Sequence, residues 1–559
     1  MAHPEYSRIF ACAPCTPRAP GTSLPAACHT NRTGETGYLL PPVHPYRKTM
    51  KTPIAAFACL ALAAVPVAAR ERVQKPNVIY IYADDMGKGM LSAYGQTRFT
   101  TPHINALIRN GTSFENAYGC MLSAPARASL LTGYHNCRRD KWKITRGGRY
   151  VVAAEDTVVI ASREAAIDAE DIRLPASDLY LPQVFRQAGY VTGQVGKLEW
   201  GFTATRRQMR EHGWDYYYGY LDHVRCHGFY PPFLFDNGSI VLLEGNTRPD
   251  CAKTAEPETP EAYRERWDMT GKSLYSEDRF VEKAAGFIRA HRDEPFFLFY
   301  STQLPHGPVS VPAVHPELAA NPNLTPIEKE YGSMVKRLDD SVGKLLDEVK
   351  ALGIANRTVF VFAADNGHEI YYAQEGRCEK PYRDLTNGAL FDNLTHKYYS
   401  GPAGDVFDGN AGRAGLKRSN LEGGLRIPLV FYGEGVIPEG VTCRETVSNY
   451  DFLPTMADWL GVSLPVRKDG TSLLPALLEG KSLEPRHLVF SSTEGPALMT
   501  SDGWKLRSYA AEQVFELFYL PDDPQERIDL SEQFPERTAA LRELLLTACD
   551  GDFRNGLYR

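Results

Sequence analysis

Four apolar runs of strand length recur along the chain, and each breaks off into polar residues. Residues 77–83 (NVIYIYA) run into Asp84-Asp85, and residues 190–195 (YVTGQV) into Gly196-Lys197-Leu198-Glu199. Residues 295–301 (PFFLFYS) lead into Gln303-Leu304-Pro305-His306-Gly307-Pro308, and residues 358–364 (TVFVFAA) into Asp365-Asn366-Gly367-His368. A fifth run, 427–432 (IPLVFY), follows Glu422-Gly423-Gly424-Leu425-Arg426. Such β-branched and aromatic runs, apolar on both faces, predict buried parallel strands. Between them the period lengthens. Helices are predicted at 101–110, 181–187, 277–291 (Phe280, Ala284, Phe287 and Ile288 on one face) and 327–349 (Met334, Leu338, Val342, Leu345 and Val349). Strands alternating with helices predict an α/β fold, a mixed and mostly parallel sheet flanked by helices.

After about residue 480 the texture changes. Short runs at 488–491, 497–500, 504–509 and 514–519 predict antiparallel strands, and 537–549 a closing helix, so 481–559 reads as a smaller C-terminal α+β subdomain. Residues 202–275 read as a long aromatic insertion that shapes a pocket. No internal repeat is visible. Residues 1–49 are rich in Pro, Thr and Ala without periodicity, and read as disordered or as a mis-assigned start. Met50-Lys51, an apolar stretch over 54–67 and Val67-Ala68-Ala69 follow the pattern of a secretory signal peptide over 50–69. Translation is then expected to begin at Met50 and the mature chain near Arg70. The apolar stretch is too short for a stable membrane span. Ala56-Phe57-Ala58 before Cys59 is a poor lipobox, which argues against a lipid anchor.

The 559 residues suffice for one large domain and a smaller one, and 43% hydrophobic with 23% charged residues is a globular balance. A net charge of -6 argues against a nucleic-acid partner. An anionic substrate would need a local cationic site instead. Seven of the 11 cysteines follow residue 59 without a C-x-x-C pair, which is no zinc pattern and leaves room for one or two disulfides in an exported protein.

The chemistry gathers at loops. Ser123-Ala124-Pro125-Ala126-Arg127 followed by Leu130-Leu131-Thr132-Gly133 predicts a helix over 124–131 closed by Gly133. Ser123 then stands at a helix N-terminus, where free N–H groups favour an anion, and Arg127 one turn on can hold an oxyanion. Taken alone, the same string also suits an N-cap serine on an ordinary helix. Asp84, Asp85, Asp365 and Asn366 each follow a predicted buried strand. Three carboxylates and an amide oxygen make a hard site for Ca²⁺ or Mg²⁺, while solvated acidic turns are the plainer alternative.

The Ser123 string resembles the signature of type I sulfatases, members of the alkaline phosphatase-like superfamily, in which a Cys or Ser is oxidised to formylglycine. Ala126 departs from a Ser common there. The resemblance extends from about Pro76 to the C-terminus. It implies an alkaline phosphatase-like mixed sheet sandwiched by helices over 76–480, ahead of the smaller subdomain. It implies that Asp84, Asp85, Asp365 and Asn366 bind one divalent ion, usually calcium, which also touches the modified Ser123. GKLEWG matches the family's G-K-W-H-L-G and makes Lys197 a catalytic residue. Glu199 stands where the family has His, so Glu199 is expected to bind a substrate hydroxyl, or another His to fill the role. His306 in QLPHGP matches P-H-x-P. Lys417, five residues before Glu422-Gly423-Gly424, matches the second catalytic lysine. Arg426-Ile427-Pro428 resembles R-V-P, whose arginine can pair with a nearby acid.

The resemblance further implies a sulfuric ester hydrolase acting on a sulfated carbohydrate. Ser123, matured by an anaerobic formylglycine-generating maturase, would present a hydrated aldehyde whose hydroxyl attacks sulfur. The metal, Arg127, Lys197 and Lys417 would hold the sulfate, and His306, with Lys417, would protonate the leaving sugar oxygen. A serine-type signature and a signal peptide together imply a bacterial periplasm. The segment around His227 and Tyr230-Pro231 resembles bacterial sulfatases of galactose-type or N-acetylgalactosamine-type glycans, which makes His227 a substrate-binding candidate, although its aromatics also suit core packing. Two further readings stay open. One is a phosphatase or phosphodiesterase of the same superfamily, which uses Ser directly with two metals. The other is a silent glycan-binding protein, which the Glu199 departure favours.

Overall fold

The computed structural model describes residues 75–558 apart from 142–144, 151–156, 171–173, 201, 252–259, 374–380, 392–393 and 510–513. All of these belong to one unit, Glu71–Arg559. The segments predicted at 1–49 and 50–69 lie outside the described residues. Ten strands form the main sheet: β1 (Asn77–Ala83), β2 (Thr112–Tyr118), β3 (Val191–Lys197), β4 (Tyr216–Tyr220), β5 (Phe233–Asp236), β6 (Ser239–Leu242), β7 (Phe296–Ser301), β8 (Thr358–Ala364), β9 (Leu429–Tyr432) and β10 (Val441–Ser448). Their order is β10-β2-β9-β8-β1-β7-β3-β4-β5-β6. The central strands β8, β1, β7 and β3 are parallel, as expected of a mostly parallel sheet, and β4, from the segment read as an insertion, joins β3 in parallel. β9 is antiparallel to both its neighbours, and β5 and β6 continue the sheet antiparallel. Helices supply the apolar surface that the central strands require: β1, β7 and β8 are buried throughout.

Register decides where the polar loops meet. Ala83 pairs with Ala364, so Asp84 and Asp365 leave the sheet side by side. The Asp365 amide donates to Ala83 O at 3.1 Å, and the Asp84 amide to Leu304 O at 3.0 Å. Gly196 lies opposite Ser301, which brings the loop after β3 to the loop after β7. Four loops far apart in sequence therefore open at one end of the sheet, as ligand-binding loops do in α/β folds.

The segment 202–275 is not an insertion outside the sheet, because it supplies β4, β5 and β6. Its aromatics fill the core. Tyr216 stacks on Phe287, Tyr218 and Tyr220 meet Phe280 edge-on, and Phe229 stacks on Tyr275. β2 and β10 went unpredicted because their sequences, TSFENAY and VTCRETVS, mix exposed polar positions with buried ones near the sheet edge.

The four predicted C-terminal strands are present: β11 (His487–Phe490), β12 (Ala497–Thr500), β13 (Trp504–Tyr509) and β14 (Val514–Tyr519), an antiparallel meander. Leu541 and Leu545 of the helix Pro535–Ala548 pack on Leu498, Leu506 and Leu517. Lys505 of β13, fully buried, pairs with Glu422 at 3.0 Å and Glu526 at 2.9 Å. Glu422 also takes Arg426 at 3.3 Å, the acid pairing expected of that arginine. The six described cysteines are free thiols, and no described helix is long and apolar enough to cross a membrane. Replacing Lys505 by Met would leave Glu526 buried without its cation. Lys505→Met should lower the unfolding free energy by about 3–5 kcal/mol in urea titrations. A loss below about 1 kcal/mol would mean that this pair does not hold the small sheet in place.

Candidate active site

Ser123 opens the helix Ser123–Thr132, which Gly133 closes as predicted. Its hydroxyl donates to Asp84 Oδ1 at 2.7 Å. Around Asp84 stand two buried cations. Lys197, the last residue of β3, forms an ion pair with Asp84 Oδ2, and Arg127 Nη2 lies 3.9 Å from the same oxygen. Burial alone would raise the Asp84 carboxyl, but Lys197 and Arg127 hold it well below the usual carboxylate range. Arg127 lies against the Tyr82 ring at 5.5 Å, and its Nε has no hydrogen-bond acceptor among the described residues.

Asp85 gathers a second group. Lys417 Nζ sits 2.5 Å and His306 Nε2 3.3 Å from its Oδ2, and the Tyr371 hydroxyl donates to the same oxygen. Lys417 thereby brings Asp85 down to about 2 against the effect of burial. Lys417 Nζ is 3.4 Å from His306 Nε2, while His306 Nδ1 meets Gly307 O. Burial and then Lys197 push His306 well below its ordinary value, so it is neutral, with Nδ1–H donating to Gly307 and Nε2 accepting from Lys417.

Asp365 is different. Its Oδ1 accepts the amides of Asp85 at 2.9 Å and Asn366 at 2.8 Å, but no cation of the described residues pairs with it. Burial, followed by Asp84 and Asp85, raises its carboxyl well above the ordinary range. Asp365 Oδ2 and Asn366 Oδ1 are buried without a hydrogen-bond partner among the described residues. Asn366 spends its amide N–H groups on Asp85 Oδ1 and Gly367 O, both at 2.8 Å, which turns its oxygen towards the acids. Asp84, Asp85 and His306 offer ligand atoms within 4.8 Å of one another. Lone pairs without donors, on an acid and an amide of an oxygen-rich pocket, fit a hard divalent cation.

The structure thus brings Ser123, Arg127, Lys197, His306, Lys417, Asp84, Asp85, Asp365 and Asn366 together. His227 joins them at the margin, its ring 4.7 Å from that of His306. Glu199, expected to bind substrate, does not. Its backbone is left-handed (φ 59), and its buried carboxylate contacts His212 Nδ1 at 2.8 Å and the Trp214 indole N–H. The histidine at this corner is His223, which follows β4. Its Nε2 donates to Leu198 O at 2.9 Å, and burial, Arg127 and Lys197 keep it neutral, well below its usual value. His223 and Tyr371 were not singled out from sequence, although each lies in a loop after the C-terminal end of a parallel strand.

A fully buried Glu277 supports the His306 loop, which has cis peptides at Leu304-Pro305 and Gly307-Pro308. Glu277 accepts from the Tyr300 hydroxyl at 2.9 Å, the Thr302 hydroxyl at 2.8 Å and the Gln303 amide. The Gln303 side chain donates to Cys226 O at 2.7 Å and Gly228 O at 3.0 Å, tying this loop to the His227 segment.

A serine at a helix N-terminus, facing acids that end the central strands of a mixed sheet, defines an alkaline phosphatase-like hydrolase. The sulfatase family model matches residues 76–462. The chain belongs to the sulfatase family and is a sulfuric ester hydrolase. Among the readings left open by the sequence, family membership selects this one over a phosphatase or a silent binding protein. It is 26% identical over 532 residues to an N-acetylgalactosamine-6-O-sulfatase of Bacteroides thetaiotaomicron, covering 84% of this chain and 93% of that protein. It is 28% identical over 420 residues to the N-acetylgalactosamine-6-sulfatase of Homo sapiens, covering 74% and 67%. The solved structure of Ps i-CgsB in complex with k-i-k-neocarrahexaose shares the fold, with a TM-score of 0.60 at 24% identity, covering 86% of this chain and 94% of that one.

Burial pushes the Glu277 carboxyl from 4.5 up to about 7, against the donors that lower it. A raised acid stabilises the folded state below its unfolded value and loses that contribution as pH rises through the folded one. The Glu277 contribution to the unfolding free energy should therefore fall between pH 4.5 and about 7, and Glu277→Gln should remove that fall of about 3 kcal/mol. Urea titrations across this range test it, and an unchanged slope in the variant would exclude Glu277 as the titrating group.

Proposed function

We propose that this site removes sulfate from a sulfated carbohydrate, with galactose-type or N-acetylgalactosamine-type glycans as the substrate class. The observation that carries the reading is the buried arc of Arg127, Lys197 and Lys417 around Ser123, with Arg127 Nε lacking an acceptor among the described residues. A tetrahedral sulfate ester, its single negative charge spread over three oxygens, would meet a cation on each side there, at low dielectric. The names of the relatives from Bacteroides thetaiotaomicron and Homo sapiens support the choice of sugar.

Asp84 holds the Ser123 oxygen in place through the 2.7 Å hydrogen bond, in line with the helix N-terminus. Arg127 and Lys197 direct N–H groups to the sulfate oxygens on one side, and Lys417 does so on the other. The proton for the leaving sugar oxygen resides at the Lys417–His306 pair, carried on Nζ against the neutral His306 Nε2. His227, beside His306, is positioned for a sugar hydroxyl. Asp84, Asp85, Asp365 and Asn366 would hold one divalent cation, calcium by the family resemblance, which when bound neutralises the acids and polarises the sulfate. Formylglycine made from Ser123 by an anaerobic maturase would supply the hydrated aldehyde as nucleophile, which a plain serine lacks. We read residues 50–69 as an export signal, the site of action as a bacterial periplasm, and 481–559 as a subdomain that supports the catalytic part.

Asp365→Ala should lower sulfate release from an N-acetylgalactosamine 6-sulfate saccharide at least about 100-fold and reduce bound calcium together with it. Full turnover in the variant would remove Asp365 from the site. In protein from its native host, the peptide carrying Ser123 should be lighter by two hydrogens. An unmodified Ser123 in an active sample would refute the formylglycine step.

A further inference from the structure

A cavity of about 400 Å³ lies at the β2–β10 side of the main sheet and shares no residue with the Ser123 site. Lys88, Arg413 and Arg426 bring three cations to its wall, Tyr94 and Ile108 add apolar surface, and Thr442 of β10 stands at its edge. The acids nearby are already engaged. Glu422 serves Lys505, Arg426 and the Tyr118 hydroxyl, and the exposed Glu115 carboxylate pairs with Arg444 at 3.4 Å.

Lys88 and Arg413 have no carboxylate within ion-pair distance among the described residues. Lys88 Nζ donates to the carbonyls of Glu115 at 2.9 Å and Phe114 at 3.4 Å, and lies 4.6 Å from the Tyr94 ring centre. Arg413 donates to Pro524 O at 2.5 Å. Burial, and then Arg426, brings the Lys88 ammonium down to about 7, and the same two causes lower Arg413. Like charges are thus crowded around a space whose two lining carboxylates are taken up elsewhere, Glu115 by Arg444 and Glu422 by Lys505 and Arg426. The wall is rigid. The Gly89 amide donates to Gly409 O at 2.9 Å, and a Cβ at Gly89 would fall 2.0 Å from Asp408 O, so the turn carrying Lys88 is packed against the loop that leads to Arg413. Donors held before the ligand arrives lose little entropy on binding. An apolar floor with cations above it suits a ring bearing a negative group, and the volume is that of a small-molecule pocket.

We propose that this cavity is a second anion-binding site, taking a sulfate or carboxylate group carried on a sugar ring or free in solution. It is independent of the chemistry assigned to Ser123.

Isothermal titration of the full chain with sodium sulfate, galactose 6-sulfate and glucuronate tests this. Two sites per chain are expected for at least one probe. Lys88→Met removes the cation nearest the turn, and Thr442→Glu sets a carboxylate at the exposed edge without touching the packed wall. Each should weaken one of the two sites about tenfold or more and leave the other unchanged. Sulfate binding as tightly as the sugar sulfate would mark the free anion as the ligand, whereas tighter binding of galactose 6-sulfate or glucuronate would mark the saccharide. Binding that both substitutions leave unchanged for every probe, or no binding of any probe, would overturn the proposal.

Discussion

Three carboxylates confined at the ends of two adjacent buried strands are the constraint on which the rest of this structure depends. Asp84, Asp85 and Asp365 cannot all be ionised in a space closed to water unless cations stand among them. The chain supplies those cations unevenly. Arg127 and Lys197 converge on Asp84, and Lys417 on Asp85, while Asp365 receives backbone amides only. That asymmetry leaves one acid without a cation of its own. The deficit lies between Asp365 Oδ2 and Asn366 Oδ1, the two oxygens left without donors among the described residues. The same imbalance places the cationic groups where a sulfate would approach Ser123.

Holding such charges in place takes support from far along the chain. Lys417 sits on a segment pinned at both sides: its amide donates to His368 O at 2.9 Å, and the Arg418 amide to Met121 O at 2.8 Å. Thr493, between β11 and β12, donates its amide to Arg418 O at 3.0 Å, and five residues after Lys417 the buried Lys505 of β13 grips Glu422. The small C-terminal sheet is thus part of the scaffold of the active site. Glu277 and Gln303 do the equivalent work for His306, by hydrogen bonds that join its loop to the His227 segment.

The GKLEWG segment shows how one substitution is absorbed. A carboxylate at position 199 cannot donate towards a sulfate, and here it is turned into a buried cluster with His212 and Trp214. His212 is stacked between Tyr180 and Trp200, at 4.0 and 4.7 Å. His223, held through Leu198 O, occupies the electrostatic neighbourhood of Arg127 and Lys197 instead.

The sequence by itself determined the central strands, the principal helices, the C-terminal meander and nine of the groups at the site. Each of these is local: an apolar run without alternation must be buried on both faces, and the loop that ends it must open at the sheet's edge. Ser123, Arg127, Asp84 and Asp365 were legible because short motifs set them there. The tertiary structure decided what depends on pairing between distant segments. It made 202–275 part of the sheet rather than an insertion, because β3 offered an edge that β4 could join. It turned Glu199 inward, because His212 and Trp214 lay within reach only in the folded chain. It brought His223 and Tyr371 to the acids, because register, which no local pattern encodes, sets which loops share an end of the sheet.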